Sequence, residues 1–326
     1  MSLTSLAALQ AARKRLTGAV HRTPMFSASS LGAPLGVSLH LKAELFQKTG
    51  SFKVRGVLNK MKQLPAADIG RGFITLSAGN HGAALSWAAR QAGSRATVVM
   101  PAHAVASKVA MVRLYGGEPV LTAGSLIDEV KRLQAERGLT MVHPFDDLDM
   151  IAGHGTAGLE ILEDVPDLDA VIVPVGGGGL ISGIAAAIKL TRPGTQVIGV
   201  EPTGADVMTR SLAAGRPERM DKPTSVADGL AAPFAGEHTF AHVTQYVDRI
   251  VLVDDDAILR ALRALIERAK LAAEPAGAAS LAALTSGAIT LPRNSRVVCV
   301  VSGGNADPTV LQRALAVAGA ESGTQV

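Results

Sequence analysis

Apolar runs rich in valine and isoleucine alternate with helix-patterned stretches through most of this chain. Most of these runs lack the polar alternation of a strand that is exposed on one face. Continuous apolar strands are instead typical of a parallel sheet covered by helices on both sides. The pattern therefore predicts an α/β fold. The predicted strands cover residues 37–41, 72–76, 96–100, 118–121, 170–175, 196–200, 250–253 and 296–301.

Helical patterns fill the intervals at 82–92, 107–115, 126–136, 158–162 and 180–190, a further helix is predicted to start near Val54, and a long helix is predicted to begin after Asp147 and Leu148. A chain of 326 residues is long enough for two lobes. We expect a large cofactor-binding lobe from 1–69 and 149–326 and a small substrate-facing lobe from 70–148. In open α/β sheets the ligand crevice lies at the carboxyl ends of the strands.

Composition and charge exclude several classes of protein. The net charge of +4 is mild, and the longest basic run, Arg13 to Arg15, is typical of a solvated helix face rather than a nucleic-acid site. No apolar stretch reaches the ~18 residues that a membrane helix needs, and no signal peptide is recognisable. A single cysteine, Cys299, excludes an intramolecular disulfide. We expect a cytoplasmic protein that binds neither nucleic acid nor membrane.

A run of glycines follows the predicted strand at 170–175 and precedes a helix. Backbone N–H groups in such a loop can turn toward one point, and the helix N-terminus adds partial positive charge, so the loop predicts a phosphate site. A dinucleotide site is the alternative, because Glu201 ends the next strand. The G-x-G-x-x-G spacing fails, however, since the third glycine position is Ser182. The glycines are Gly176, Gly177, Gly178 and Gly179.

Lys53 stands in the run TGSFK, between a glycine-softened turn and the start of a predicted helix. Most lysines are solvated surface groups. A lysine that forms an imine must instead be partly desolvated, which lowers its pKa. With Ser51 and the aromatic Phe52 beside it, Lys53 is the candidate for such an amine.

Two more segments carry small polar groups at strand ends. Ser77 to Gly82 follows a strand and opens a helix, so its amides could hold a carboxylate and Asn80 could donate to a phenolate-like oxygen. The alternative is an ordinary helix N-cap by Ser77 or Asn80. Ser302 ends the last strand and precedes two glycines, and its neutral hydroxyl can bond a ring nitrogen without forcing protonation there.

With these segments in this order, the chain resembles the fold type II (tryptophan-synthase-like) pyridoxal phosphate (PLP) enzymes, and most closely their serine/threonine dehydratase and serine racemase branch. The resemblance covers nearly the whole chain. It is reinforced by HPFDD from His143, IAGHGT from Ile151 and EPAGA from Glu274. It implies two α/β lobes with PLP in the cleft, a homodimer, and no C-terminal regulatory domain.

Carried over residue by residue, the resemblance implies these roles. Lys53 would hold PLP through an imine and act as the base on Cα, and Phe52 would lie against the ring. Asn80 would meet the 3-hydroxyl oxygen and Ser302 the pyridine nitrogen. The glycine run would bind the phosphate. The substrate carboxylate would be surrounded by Ser77, Gly79, Asn80 and His81.

The sequence departs from the racemases at two positions. Racemases carry a serine that works as acid and base at the position of Ala78, and alanine has no proton to exchange. They also carry a carboxylate-binding arginine where this chain has Leu126. The first departure favours elimination of water from L-threonine or L-serine, giving a 2-oxo acid and ammonia, and the second removes a carboxylate contact. A racemase, or a dehydratase of 3-hydroxyaspartate or phenylserine, is the alternative.

The resemblance also indicates where a divalent cation could bind. Related enzymes hold one on the glutamate of an E-P pair, on a carbonyl four residues later and on an aspartate six residues later. Glu201 and Ala205 occupy the first two positions, but the third is Val207, with Asp206 one residue short. Because a hard cation needs several oxygen ligands, Glu201 as a capping or salt-bridged acid is the alternative to a metal ligand.

Overall fold

The computed structural model describes residues 2–77 and 79–317. Its strands form two sheets. They are β1 (Met25–Ser27), β2 (Ser38–Ala43), β3 (Phe73–Leu76), β4 (Ala96–Pro101), β5 (Glu118–Thr122), β6 (Thr140–Met141), β7 (Ala170–Pro174), β8 (Gln196–Pro202), β9 (Arg249–Val253) and β10 (Arg296–Val301).

The larger sheet has the order β1-β2-β10-β7-β8-β9, and the smaller one β5-β4-β3-β6. Every neighbouring pair is parallel except β1 with β2. The predicted parallel α/β fold is therefore confirmed, and each predicted strand is present with ends shifted by a residue or two. Two strands escaped prediction, because β1 and β6 span only 3 and 2 residues and are too short to show a period.

Helices cover both sheets. They are α1 (Leu6–Leu16), α2 (Ser29–Gly32), α3 (Lys53–Met61), α4 (Ala66–Arg71), α5 (Asn80–Gln91), α6 (Ala106–Leu114), α7 (Leu126–Arg137), α8 (Leu148–Asp164), α9 (Gly179–Thr191), α10 (Val207–Ala214), α11 (Glu237–Tyr246), α12 (Asp255–Ala264), α13 (Pro275–Thr285) and α14 (Pro308–Ala316). Within residues 2–77 and 79–317, none is long and apolar enough to cross a bilayer.

The core of the larger sheet is centred on β10, which lies between β2 and β7. Its residues from Val297 to Val301, Cys299 included, are 0% exposed. Each such side chain contributes about 1.5–3 kcal/mol by leaving water, so the apolar run at 296–301 fixes this strand at the centre. Burial also raises the pKa of the Cys299 thiol, as expected of a thiol enclosed by apolar neighbours.

The long helix predicted after Asp147 and Leu148 is α8, which runs for 17 residues from Leu148 and includes the helical pattern at 158–162. Asp147 is its N-cap, and its side chain accepts from the amides of Asp149 and Met150. Glycine is a poor helix former, yet α8 carries glycines in its first half. They are needed for close packing: a Cβ on Gly153 would lie 2.5 Å from the carbonyl oxygen of Arg55 on α3.

All strands of the smaller sheet fall between Phe73 and Met141, whereas those of the larger sheet come from both sides of that interval. This arrangement supports lobes at 1–69 with 149–326 and at 70–148, a division that we keep as a proposal. Three strands position the candidate site, because β3, β7 and β10 run directly into the polar segments at Ser77, Gly176 and Ser302.

A buried ion cluster holds α3 against the larger sheet and α8. The Arg55 side chain is 0% exposed and forms a fork with Glu44, Nε to Oε2 and Nη2 to Oε1, each at 2.8 Å. Its Nη1 and Nη2 also donate to Glu160 at 2.7 and 2.9 Å. Lys42, likewise fully buried, donates to Glu160 at 2.7 Å. Burial alone would raise the pKa of Glu44, but Arg55 holds that pKa below its usual value.

Replacing Arg55 should therefore destabilise the fold. Arg55→Met leaves the Glu44 carboxylate buried without its fork, and loss of one partner of a buried pair costs about 3–5 kcal/mol. Urea unfolding measures the change in free energy. The matched control is Arg132→Met, because Arg132 pairs with Glu129 and Glu136 on an exposed helix face and should barely matter. Equal effects of the two substitutions would contradict this assignment.

Candidate functional site

A cavity of about 360 Å³ opens where the carboxyl ends of β3, β7 and β10 face one another. It collects polar side chains and bare backbone from segments that are distant in sequence. Every residue that was predicted to bind PLP or substrate lines it: Phe52, Lys53, Ser77, Gly79, Asn80, His81, Gly176, Gly177, Gly178, Gly179 and Ser302.

Lys53 is the first residue of α3, and its side chain lies in the cavity. The Nζ atom donates to the carbonyl oxygen of Pro144 at 2.7 Å and lies 5.1 Å from the ring centre of Phe52. Burial lowers the pKa of Lys53 from 10.5 to about 8, while the carboxyl of Glu274 opposes the shift. A much larger fraction of this amine is therefore neutral, and so nucleophilic, than in a solvated lysine.

A chain of hydrogen bonds fixes the side chain of Asn80. Its Nδ2 donates to Glu274 Oε1 at 2.6 Å, and its Oδ1 accepts from Asn305 Nδ2 at 2.9 Å. Asn305 Nδ2 also donates to the carbonyl oxygen of Thr49 at 2.7 Å. A carboxamide carries two N–H groups, so one N–H of Asn80 is left for a ligand. The chain joins the smaller sheet's α5 to the loop before Lys53.

The glycine loop presents backbone only. A Cβ on Gly177 would overlap the ring of Phe145, and one on Gly179 would lie 3.0 Å from the Phe145 Cβ. Gly178 has a φ of +88° and caps α9, which starts at Gly179. Side chains are thus excluded on the packed side, and amides at the start of a 13-residue helix face the cavity. This is the geometry of an anion cradle.

Hydrogen bonds from its own backbone amides to the Ser77 side chain stabilise the segment that begins at Ser77. Ser77 Oγ accepts from the amides of Gly79 and Gly82 at 3.1 and 2.9 Å, which is the capping role of the alternative interpretation. His81 bonds the carbonyl oxygen of Val142 at 3.1 Å. Burial lowers the pKa of His81 well below its usual value, so its imidazole is neutral. In the first turn of α5 the amide of Gly82 is taken by Ser77 and that of Ala83 by the carbonyl oxygen of Gly79, so the amides of Asn80 and His81 remain for a carboxylate.

Ser302 is 3% exposed and reaches the cavity from the end of β10. Its carbonyl oxygen accepts from the amide of Phe52 at 3.1 Å, which ties the strand end to the turn before Lys53. At Gly50 (φ +74°) a Cβ would collide with Asn305. The turn before Lys53 can therefore close against the segment after Ser302 only if residue 50 is glycine.

Glu201 and Ala205 do not line this cavity. The Glu201 carboxylate accepts from the amides of Met208 and Thr209, each at 2.8 Å, and from Thr209 Oγ1 at 2.7 Å. Both of its oxygens are used at the start of α10, which is the capping role. Among residues 2–77 and 79–317, no group of three or more His, Cys, Asp or Glu side chains could hold a metal ion.

Three charged residues of the cavity were not predicted as site residues: Lys108, Asp228 and Glu274. Lys108 lies on α6 and forms an ion pair with Asp228. Glu274 belonged to a recognised motif but carried no assigned role. Burial raises the pKa of Glu274 to about 7. The sequence could not assign these residues to the site, because single charged residues in helices and loops form no recognisable motif. Only the folded structure brings them to the cavity. Leu126, in contrast, lines the cavity as an apolar side chain.

Similarity to known proteins identifies the family to which this cavity belongs. A family model described as pyridoxal-phosphate dependent enzyme matches residues 16–303. The chain belongs to this family. It is 41% identical to an L-threonine ammonia-lyase of Thermotoga maritima over 99% of this chain and 81% of that one. It is also 41% identical to a serine racemase of Oryza sativa subsp. indica over 94% of this chain and 92% of that one.

Solved structures agree with the family assignment. A maize serine racemase superposes with a TM-score of 0.91 at 39% identity, covering 96% of this chain and 97% of that chain. The predicted resemblance to the fold type II dehydratase and racemase branch is therefore confirmed.

The cavity fits PLP on its own geometry. Lys53 would supply an amine for the aldehyde, the glycine loop a cradle without side chains for the phosphate, and Ser302 a neutral hydroxyl for the ring nitrogen. Ser51 Oγ, in the turn before Lys53, is buried and has no hydrogen-bond partner among the described residues. We propose that Lys53, the glycine loop, Ser302 and Asn80 hold the cofactor in the roles that the resemblance implied.

The pKa of Lys53 predicts how PLP loading depends on pH. Only the neutral amine attacks the aldehyde, and its fraction rises with pH through the pKa. The initial rate of loading apoprotein with PLP should therefore rise up to about pH 8 and then level off, following the pKa of Lys53. Stopped-flow absorbance measures this rate. A rate that keeps climbing toward the ordinary lysine value of 10.5 would show that the amine is not desolvated.

Proposed function

We propose that this enzyme dehydrates and deaminates a β-hydroxy amino acid, L-threonine or L-serine, to a 2-oxo acid and ammonia. The observation that carries the proposal is the position of Lys53, whose amine has a lowered pKa and shares one cavity with the glycine loop and Ser302. PLP, when bound, supplies an electron sink for charge developing at the substrate Cα.

The chain's own residues then divide the work. Lys53 Nζ takes the proton from Cα, which its lowered pKa suits near neutral pH. The first-turn amides of α5 hold the substrate carboxylate and so orient the Cα–H bond toward Lys53. Departure of the β-hydroxyl as water, followed by hydrolysis of the resulting enamine, gives the 2-oxo acid and ammonia.

Ser302 favours elimination over longer-lived carbanion chemistry. As a neutral hydroxyl it would hold the ring nitrogen of PLP by a hydrogen bond without forcing a proton onto it, and an unprotonated ring would be a weaker electron sink. Charge that develops at Cα would then favour loss of the β-hydroxyl. The apolar wall, with Leu76, Phe145 and Phe234, limits the access of water to the site during these steps.

A racemase is the second candidate, because serine racemases are as similar to this chain as threonine ammonia-lyases. Racemisation needs a second acid and base on the face opposite the lysine. Residue 78, where racemases carry that serine, is alanine here; it lies outside the described residues. The substitution favours the lyase. A homodimer in the cytoplasm, and activity on L-threonine or L-serine rather than 3-hydroxyaspartate or phenylserine, are parts of the same proposal.

The proposed function is tested by spectrum and turnover together. The PLP-loaded protein should show a visible absorbance band that shifts on addition of L-threonine or L-serine while 2-oxo acid and ammonia accumulate. Lys53→Ala should lower kcat by about 10²–10⁴-fold or more, because the base is lost. Lys62→Ala, at an exposed lysine at the end of the same helix, is the matched control. A Lys53→Ala protein with full turnover would disprove the mechanism.

The racemase alternative has its own test at residue 78. Wild-type enzyme should release pyruvate from L-serine without forming D-serine, whereas Ala78→Ser restores a hydroxyl that can exchange a proton and should gain measurable racemisation. Chiral chromatography of the products separates the two outcomes. If the wild type formed D-serine as fast as pyruvate, the protein would be a racemase and its second acid and base would lie elsewhere in the site.

A further inference from the structure

Lys108 is a second ammonium in the cavity, and the proposed elimination gives it no task. It lies on α6, beside the smaller sheet, and its side chain is 11% exposed. Its Nζ forms an ion pair with Asp228, which lies in the short helical turn Asp228–Leu230 and whose side chain is 49% exposed. Both residues line the cavity. A mostly buried ammonium needs an anionic partner, and Asp228 supplies one at the edge of the cavity.

The position of Lys108 relative to Gly79 identifies which part of the cavity it serves. A Cβ on Gly79 would lie 3.2 Å from Lys108 Cδ and 3.5 Å from Nζ. The side chain of Lys108 thus lies against Gly79, next to the first-turn amides of α5 that we assign to the substrate carboxylate. An anion held on those amides would therefore approach the ammonium.

The rest of the cavity offers that anion no other fixed cation. Among the described lining residues, the basic side chains are Lys53, His81 and Lys108. Lys53 is assigned to the cofactor and the proton at Cα. His81 is neutral, because burial lowers its pKa well below its usual value. Leu126 presents an apolar side chain where racemases carry an arginine. A carboxylate on the amides of α5 would therefore lack a counter-charge unless Lys108 provides one.

We propose that Lys108 determines specificity for the substrate by pairing with its α-carboxylate, in place of the missing arginine at residue 126. This inference rests on the proposed function and adds the residue that recognises the amino acid by charge. Asp228 holds Lys108 before substrate binds. Its carboxylate is half-exposed, so water can solvate it when the ammonium exchanges partners. Lys108 binds and positions; it moves no proton.

The test compares two ligands that cannot eliminate water, because neither has a β-hydroxyl. L-2-aminobutyrate carries the carboxylate, and L-2-aminobutyramide replaces it by a neutral amide. Each is titrated into PLP-loaded wild type, Lys108→Met, Lys108→Arg and Asp228→Asn, and the cofactor absorbance gives Kd. Thermal unfolding of each variant verifies that it is folded. L-Threonine turnover is measured separately, with kcat and KM resolved.

Lys108→Met should weaken binding of L-2-aminobutyrate by about ten- to hundredfold, the usual worth of a charge-assisted hydrogen bond. It should leave binding of the amide unchanged. Lys108→Arg should recover most of the loss, because the charge is kept. Asp228→Asn should bind the carboxylate at least as well as wild type, since Lys108 no longer has a competing partner. For L-threonine, Lys108→Met should raise KM more than it lowers kcat.

Two results would overturn the assignment. If Lys108→Met weakened binding of L-2-aminobutyrate and of its amide equally, Lys108 would shape the cavity without contacting the carboxylate. A loss in Asp228→Asn as large as that in Lys108→Met would show that the ion pair matters as a link across the cavity. If wild type converts L-threonine while either result is obtained, the proposed function stands and only the role of Lys108 falls.

Discussion

The rest of the structure depends on how α3 is fixed, because this helix begins with Lys53. Two residues later Arg55 points to another side of the helix and enters a buried cluster with Glu44, Glu160 and Lys42. The cluster is formally neutral, and the fork between Arg55 and Glu44 fixes orientation as well as position. Because Lys53 is the first residue of α3, the position of its amine in the cavity depends on the position of the whole helix. Lys53 itself has no carboxylate in direct contact among the described residues, and burial lowers its pKa.

The cavity is the meeting point of three strand ends, each of which contributes a different kind of group. β7 leads into bare backbone at the glycines, β10 leads to a neutral hydroxyl at Ser302, and β3 leads to the first turn of α5. Burial then sets the charge of each titratable group: it lowers the pKa of Lys53 and of His81 and raises that of Glu274. Lys108 and Asp228 retain an ion pair at the cavity. Burial thus limits the charge of Lys53, His81 and Glu274, and the ion-paired Lys108 lies beside Gly79, next to the amides proposed to receive the substrate carboxylate.

Much of this arrangement could be predicted from the sequence, because it depends on local signals. Apolar runs without alternation indicate doubly covered parallel strands, and four glycines between a strand and a helix indicate a phosphate loop. What the sequence could not predict depends on packing between distant segments. The sequence predicts a long helix after Leu148, but the glycines within it are explained only by the close approach of α3 and α9. The hydrogen-bond chain from Glu274 through Asn80 to Asn305 spans 225 residues between Asn80 and Asn305 alone, and no periodic pattern records it. Glu201 fitted a metal motif in sequence, yet its carboxylate caps α10.

The central claim is that Lys53 is the amine that binds PLP in this cavity. The most direct measurement is to reduce the PLP-loaded protein with borohydride, digest it, and locate the added mass by mass spectrometry. One modified peptide, containing Lys53, is expected from the wild-type protein, and no such peptide from Lys53→Ala. Attachment to Lys108 or to another lysine in the wild-type protein, or no covalent attachment at all, would contradict the central claim.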